Sequence, residues 1–194
     1  MDIDLLRSET PGCANVIHFN NAGAALVSDR TLQAQINCLN EEAHNGSYET
    51  AAKYSQQLQE FYSEVGKLIN AEPDEIAFTE SATVAWLRAF YAIDFKKGDE
   101  IICDQSSYAS NYIAFLNARD KFGVQIKIAS ENKQGEVAIA DIEDLITPAT
   151  KLISITHIPT NNGLVNPAEN IGDLASQKGI LYQLDACQSA GQYP

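Results

Sequence analysis

The spacing of apolar positions changes near Pro73. Before it, apolar residues recur at helical spacing; after it, short apolar runs alternate with amphipathic stretches. Residues 1–15 carry Pro11-Gly12 and little periodicity, so they read as an arm, and Val16–Phe19 is a short extended run. Asn20-Asn21-Ala22-Gly23-Ala24-Ala25 is small and turn-prone. Ser28 is placed to cap a helix that runs to about Ala43 and stops at Asn45-Gly46. Tyr48 to Asn70 predicts a second, longer helix with an apolar stripe of Leu58, Phe61, Tyr62, Val65, Leu68 and Ile69.

From Pro73 onward the pattern predicts strands at Glu75–Thr79, Glu100–Cys103, Val124–Ala129, Lys151–Ile155 and Ile180–Leu184. Helices at Ser81–Ile93, Tyr108–Lys121, Ala140–Ile146 and Pro167–Lys178 lie between them. Such alternation implies right-handed βαβ crossovers and an α/β fold with a mainly parallel sheet flanked by helices. Ile180–Leu184 reads as a buried parallel strand with an acid, Asp185, at its end. Open α/β sheets place ligands beyond the carboxyl ends of their strands, so this stretch organises the functional reading. The domain reading is an arm over 1–27 and one α/β domain over 28–194.

Composition narrows the classes. The 194 residues are 45% apolar and 20% charged, as in a globular chain. Thirteen basic against 26 acidic residues give a net charge of −13, which disfavours nucleic acid and anionic membranes as partners. A local anion site built from backbone amides stays compatible with that total. Cys13, Cys38, Cys103 and Cys187 have no paired spacing, so they read as reduced thiols rather than a disulfide framework or metal site. No apolar run has membrane-spanning length, and Met1-Asp-Ile-Asp lacks a signal-peptide pattern, so a cytoplasmic location is expected.

Four polar segments follow predicted strands. Around Ser81-Ala82-Thr83 a strand passes to a helix through hydroxyl residues, which either cradle a phosphate or simply cap the helix. There is no Gly-Lys-Ser/Thr and no G-x-G-x-x-G. Tyr108 is either a plate for a planar ring or a half-buried tyrosine at a helix start. Thr160 and Asn161 can hydrogen-bond a ligand, whereas His157 reads as strand-end packing rather than a base. Asp185 either faces a cationic ring nitrogen or caps a following helix, and Gln188 can bond a ring substituent. A phosphate cradle, an aromatic plate, hydrogen-bond donors and a carboxylate are the set that pyridoxal 5'-phosphate needs.

With these residues in place, the chain resembles the class V aminotransferase family, which contains the cysteine desulfurases, within fold type I of the pyridoxal-phosphate enzymes. The resemblance runs from about Ile17 to the last residue. It rests on Phe19-Asn-Asn-Ala-Gly, Gly46-Ser-Tyr48-Glu, Glu80-Ser-Ala-Thr83, Tyr108-Ala-Ser-Asn111, Thr156-His157 through Asn166-Pro167, and Asp185-Ala-Cys-Gln188. It implies that Ser81, Ala82 and Thr83 bind the phosphate. Tyr108 takes the ring-stacking position, where the desulfurases compared with it carry histidine. Asp185 pairs with the pyridinium nitrogen, Gln188 bonds the ring oxygen, and Asn21, Ala22 and Gly23 lie near the substrate. Where the family often has Asn three residues before the loop glycine, this chain has Thr160, so the ring-oxygen contact is open between Thr160 and Asn161.

The resemblance also implies a Schiff-base lysine roughly 25 residues beyond Asp185–Gln188, and a C-terminal small domain. Neither falls within the 194 residues, and Lys151 and Lys178 do not suit the lysine's role. The expectation is therefore an N-terminal cofactor-binding part of an enzyme, inactive alone. The complete enzyme is expected to be a homodimer acting on an amino acid, a small-molecule substrate, by C–S lyase, desulfurase or related lyase or epimerase chemistry. The Gly46-Ser-Tyr48-Glu and Thr160-Asn161 stretches resemble the branch with isopenicillin epimerase-like and hercynylcysteine lyase-like proteins slightly more. Two other classes are compatible with the sequence: a non-catalytic or complementing partner chain, and a sugar- or nucleotide-phosphate-binding α/β domain.

The family's strand order further implies that Glu75–Thr79 sits apart from the other strands. Two later strands are expected between it and Lys151–Ile155, a gap of roughly 14 Å at ordinary strand spacing. A buried slot of that width would orphan backbone groups. The segment is therefore expected to meet a complementary chain, to re-pair, or to associate through open edges. The other four strands are expected to form one contiguous sheet.

Overall fold

The computed structural model describes residues 2–193, in two compact units, one ending at Ile76 and the other beginning at Ala77. The first is helical. Its opening residues hold more order than an arm: α1, Ile3–Ser8, is capped by Asp2, whose Oδ1 accepts from Leu5 N at 3.1 Å, and a 3-10 turn follows at Pro11–Ala14. Ser28 caps α2, Asp29–Asn45, as its sequence predicts.

The expected long helix is two helices. α3 spans Ser47–Lys53 and α4 spans Ser55–Ile69, with the break at Tyr54. Just before the break, Lys53 pairs with Glu41 of α2 at 2.7 Å, and its ammonium also lies 5.7 Å from the Tyr54 ring centroid. A tertiary tie of this kind outweighs local helix propensity, which differs little from residue to residue. At the far end of α4, a Cβ on Gly66 would come within 2.5 Å of Ala71 O, so only glycine lets the chain fold back there.

Residues 75–79 form no strand. Pro73–Glu75 is a 3-10 turn, closed by Glu75 Oε2 accepting from Glu72 N at 2.9 Å. The following residues carry no regular structure and are mostly exposed, with Phe78 65% exposed. The segment thus avoids the cost of an unpaired buried ladder by staying near water.

The second unit is the α/β domain. Its elements in order are α5 (Ala82–Tyr91), β1 (Glu100–Cys103), α6 (Ala109–Phe122), β2 (Gln125–Ile128), α7 (Ile139–Leu145), β3 (Thr150–Thr156), α8 (Ala168–Lys178) and β4 (Leu181–Asp185). The four strands pair in parallel in the order β2-β1-β3-β4. This is the contiguous parallel sheet flanked by helices that the alternation predicts. Gly123 and Gly179 end α6 and α8 at φ of 74° and 66°, left-handed positions that glycine adopts without strain.

Side-chain alternation divides the core into two. Ile101 and Cys103 join Trp86, Phe90, Phe115 and Val124 on one face, while Ile102, Ile153 and Ile155 join Ile142, Ile171 and Leu174 on the other. At the strands' amino ends, buried Glu100 Oε2 accepts from Lys127 Nζ at 2.8 Å and Thr147 Oγ1 at 2.6 Å. These bonds hold its carboxyl below the ordinary value against the opposing effect of burial, which is the largest single influence on it.

Two expectations about position are corrected. β4 is an edge strand, not a buried one: Leu181 is 50% exposed and Leu184 37%. Its neighbour is β3, so the side of Lys151–Ile155 that was expected to face a gap is filled by β4 itself. An apolar run reads alike in either setting, because burial depends on which strands flank it.

Candidate functional site

The candidate site lies at the carboxyl ends of β1, β3 and β4. Asp185 is the last residue of β4, in register with Thr156 of β3. Its backbone oxygen accepts from His157 N at 2.9 Å. Its side chain is held on both oxygens: Oδ2 accepts from Asn111 Nδ2 at 2.7 Å and Oδ1 from Cys187 N at 3.1 Å. Residues 186–192 form turns rather than a helix, so Asp185 is not a helix cap. Gln188 stands half-buried in that turn.

β1 leads to a second acid, Asp104, only 1% exposed. Its Oδ2 accepts from Thr156 N at 3.0 Å and its Oδ1 from the Ser107 hydroxyl. Burial pushes this carboxyl up, with the hydrogen bonds from Ser107 and Thr156 pulling the other way. Asp104 thus ties the end of β1 to the end of β3. Three residues after Ser107 comes Ser110, and the intervening Tyr108 opens α6 with its side chain 52% exposed. Asn111 follows in the first turn of α6 and is buried. Tyr108 thus stands partly open to solvent at the helix start.

Ser81 caps α5, its Oγ accepting from Val84 N at 3.3 Å, with Ala82 and Thr83 in the first turn. α5 leads through residues 92–99 to the start of β1, so its amino end points towards the strands' carboxyl ends. It is fastened to β4 by Gln183 Nε2 donating to Trp86 O at 3.0 Å, two residues before Asp185. Beyond β3, Asn166 is the buried rivet of the loop: its Nδ2 donates to Thr156 O at 2.7 Å and its Oδ1 accepts from Val137 N at 2.9 Å. Thr160 and Asn161 stand exposed in that loop. His157 is half-buried, with Nδ1 2.9 Å from the Oγ of buried Ser189. Asn21, Ala22 and Gly23 form an exposed turn of the helical unit, closed by Gly23 N donating to Asn20 O at 3.1 Å.

The sheet edge therefore gathers Asp185, Gln188, Tyr108 and the loop bearing Thr160. It also brings in Asn111, Asp104 and Ser189, which pattern reasoning did not single out as site residues. Asp104 carried the same signal as Asp185, an acid directly after an apolar strand. Asn111 closes the Tyr108-Ala-Ser-Asn111 motif, but an amide in a helix reads as surface and its bond to Asp185 is tertiary. The nearby thiols are not activated: burial and the Asp104 charge push Cys103 up to about 12, and burial and the Asp185 charge raise Cys187. Among the described residues no cluster of His, Cys, Asp or Glu could hold a metal, and no helix is long and apolar enough to cross a membrane.

The fold defines a parallel α/β domain with two acids, Asp104 and Asp185, at its carboxyl strand ends. The profile described as "Aminotransferase class-V" matches residues 17–194, and the chain belongs to that family. A probable cysteine desulfurase of Synechocystis is 30% identical over 200 residues, covering all of this chain and 47% of that protein. One from Methanothermobacter thermautotrophicus is 32% identical over 152 residues, covering 78% of this chain and 38% of that one. The chain thus spans less than half the length of these curated relatives. Among solved structures, the C–S lyase C-DES with glycine covalently linked to its PLP cofactor superposes with a TM-score of 0.87 at 23% identity. That match covers 97% of this chain and 51% of C-DES.

Proposed function

We propose that these residues are the cofactor-binding part of an enzyme that uses pyridoxal 5'-phosphate to act on an amino acid, by C–S lyase or desulfurase chemistry. One observation carries the reading: a strand-end carboxylate, held by a buried amide and a backbone N–H, beside an exposed aromatic ring. The donor set fits the cofactor. Among the described residues, Asp185 Oδ2 accepts from Asn111 Nδ2 and Oδ1 from Cys187 N, and a carboxylate oxygen can accept a second bond, so a ring N–H can be received. When bound, the cofactor supplies an electron sink for the substrate's Cα.

In this reading Asp185 holds the ring nitrogen, Tyr108 lies against the ring, and Thr160 and Gln188 bond the ring oxygen. Ser81, Ala82 and Thr83 receive the phosphate at the start of α5, where unpaired N–H groups favour an anion. Asn21, Ala22 and Gly23 are assigned to the substrate by the family resemblance alone. Lys151 and Lys178 stand at the opposite ends of β3 and α8. Thr156 lies five residue rises along the strand from Lys151, about 16 Å, so neither supplies the reactive amine at this edge. The complete protein is a cytoplasmic homodimer in this account. The names of the relatives, desulfurases and a C–S lyase whose reaction product is cysteine persulfide, support sulfur-bearing amino acids as substrates.

Titrating pyridoxal 5'-phosphate into the full-length protein tests the reading. The expected result is saturable binding with a visible absorbance band. Saturable binding of a sugar phosphate or nucleotide, with none of the cofactor, would overturn it.

A further inference from the structure

We infer that Asn111 is a positioning residue whose side-chain amide sets the orientation of the Asp185 carboxylate towards the cofactor ring. The inference rests on the cofactor reading above and adds a residue to it. Asn111 is 3% exposed and sits on α6, whereas Asp185 ends β4, 74 positions along the chain. Their 2.7 Å contact is short for an N–H···O bond, as charge-assisted bonds are.

The direction of the amide is fixed by its other end. Ser110 Oγ donates to Asn111 Oδ1 at 3.3 Å, so the NH2 group, and not the carbonyl, faces the acid. Asn111 N in turn donates to Tyr108 O at 2.9 Å. One turn of α6 therefore carries both the ring-facing tyrosine and the amide that aims the acid. A carboxylate held only by the Cys187 N–H could rotate about its Cβ–Cγ bond; a second donor on the other oxygen stops that rotation. A buried asparagine without such a partner would cost stability, which gives the residue a reason to be polar at this depth.

Two substitutions in the full-length protein test the role, read by cofactor affinity and by the position of the bound cofactor's absorbance band. Asn111→Leu removes the donor and is expected to weaken binding about fivefold at every pH. Asn111→Asp places a second carboxyl against Asp185. The other titratable groups around the pair are Asp104 at the end of β1, His157 at the end of β3, and Cys187 in the turn after β4. At about pH 5 the two carboxyls can share a proton and keep one O–H donor, so Asn111→Asp is expected to bind nearly as wild type. At about pH 8 both are charged, and binding is expected to fall about fivefold relative to wild type, with a shifted band.

A residue that merely packs the core would lower the melting temperature without this pH signature. If Asn111→Leu does not fold, the pH profile of Asn111→Asp decides alone. Affinity and band of Asn111→Asp that track wild type across the whole pH range would overturn the inference. Asp185→Asn, measured in parallel, separates the two levels. If it alters affinity and band while Asn111→Asp tracks wild type, only the positioning role fails; if Asp185→Asn also changes nothing, the cofactor reading itself fails.

Discussion

Asp104 is the residue on which the architecture of the site edge turns. It is an acid held almost wholly out of water, and burial raises its carboxyl above the ordinary value. The folded state therefore binds its proton more tightly than the unfolded chain does. The contribution of this group to stability then falls as pH rises from the ordinary carboxylate range of ~4 through the folded-state value. Asp104→Asn removes that penalty and keeps an acceptor for Thr156 N. Its melting temperature at neutral pH is expected to equal or exceed wild type, with a flatter pH dependence. Asp104→Ala strands the buried Thr156 N–H and is expected to cost about 1–3 kcal/mol in a denaturant titration. A milder effect for Asp104→Ala than for Asp104→Asn would show that the acid does not hold β3.

At the level of elements, α5 and α6 are locked by an aromatic cluster. Phe115 and Phe90 are fully buried, with ring centroids 5.6 Å apart, and Trp86 stacks on Phe90 at 4.9 Å. Phe115→Ala is expected to cost about 3–5 kcal/mol by chemical denaturation. Trp86 Nε1 is buried without a partner among the described residues, so Trp86→Phe loses no hydrogen bond there and sheds an unsatisfied donor. It is expected to cost much less than Phe115→Ala; an equal loss would mean that the indole N–H contributes a bond. The four strands and the helices between them were legible within a residue or two, because glycine stops and changes of period are local signals. The break at Tyr54 was not, because neither Gly nor Pro marks it and its companion, the Lys53–Glu41 pair, is tertiary. Nor was the edge position of β4, since its apolar residues would suit a buried strand equally well. The place of Asp185 at a strand end was legible, and its bond from Asn111 was not, because that contact is tertiary.

For the molecule as a whole, surface is left over. None of the residues of α2 is buried, and in α4 only Gly66 is, with Leu39, Leu58 and Leu68 exposed. β4 presents an open edge carrying Leu181 and Leu184. Unpaired strand edges and apolar helix faces both promote association. The 194-residue chain is expected to self-associate as its concentration rises, and Leu184→Lys on the open edge is expected to weaken that, as sedimentation velocity would show. A strictly monomeric wild-type chain at high concentration would contradict the expectation.

The central claim is that Asp185 serves the chemistry of the bound cofactor rather than its retention. Its direct test compares wild-type and Asp185→Ala full-length enzyme, in turnover of a sulfur-bearing amino acid and in cofactor affinity. Turnover is expected to fall by about a hundredfold or more, the scale of losing one charge-stabilising group, while affinity falls about tenfold or less. Turnover close to wild type in the Asp185→Ala enzyme would contradict it.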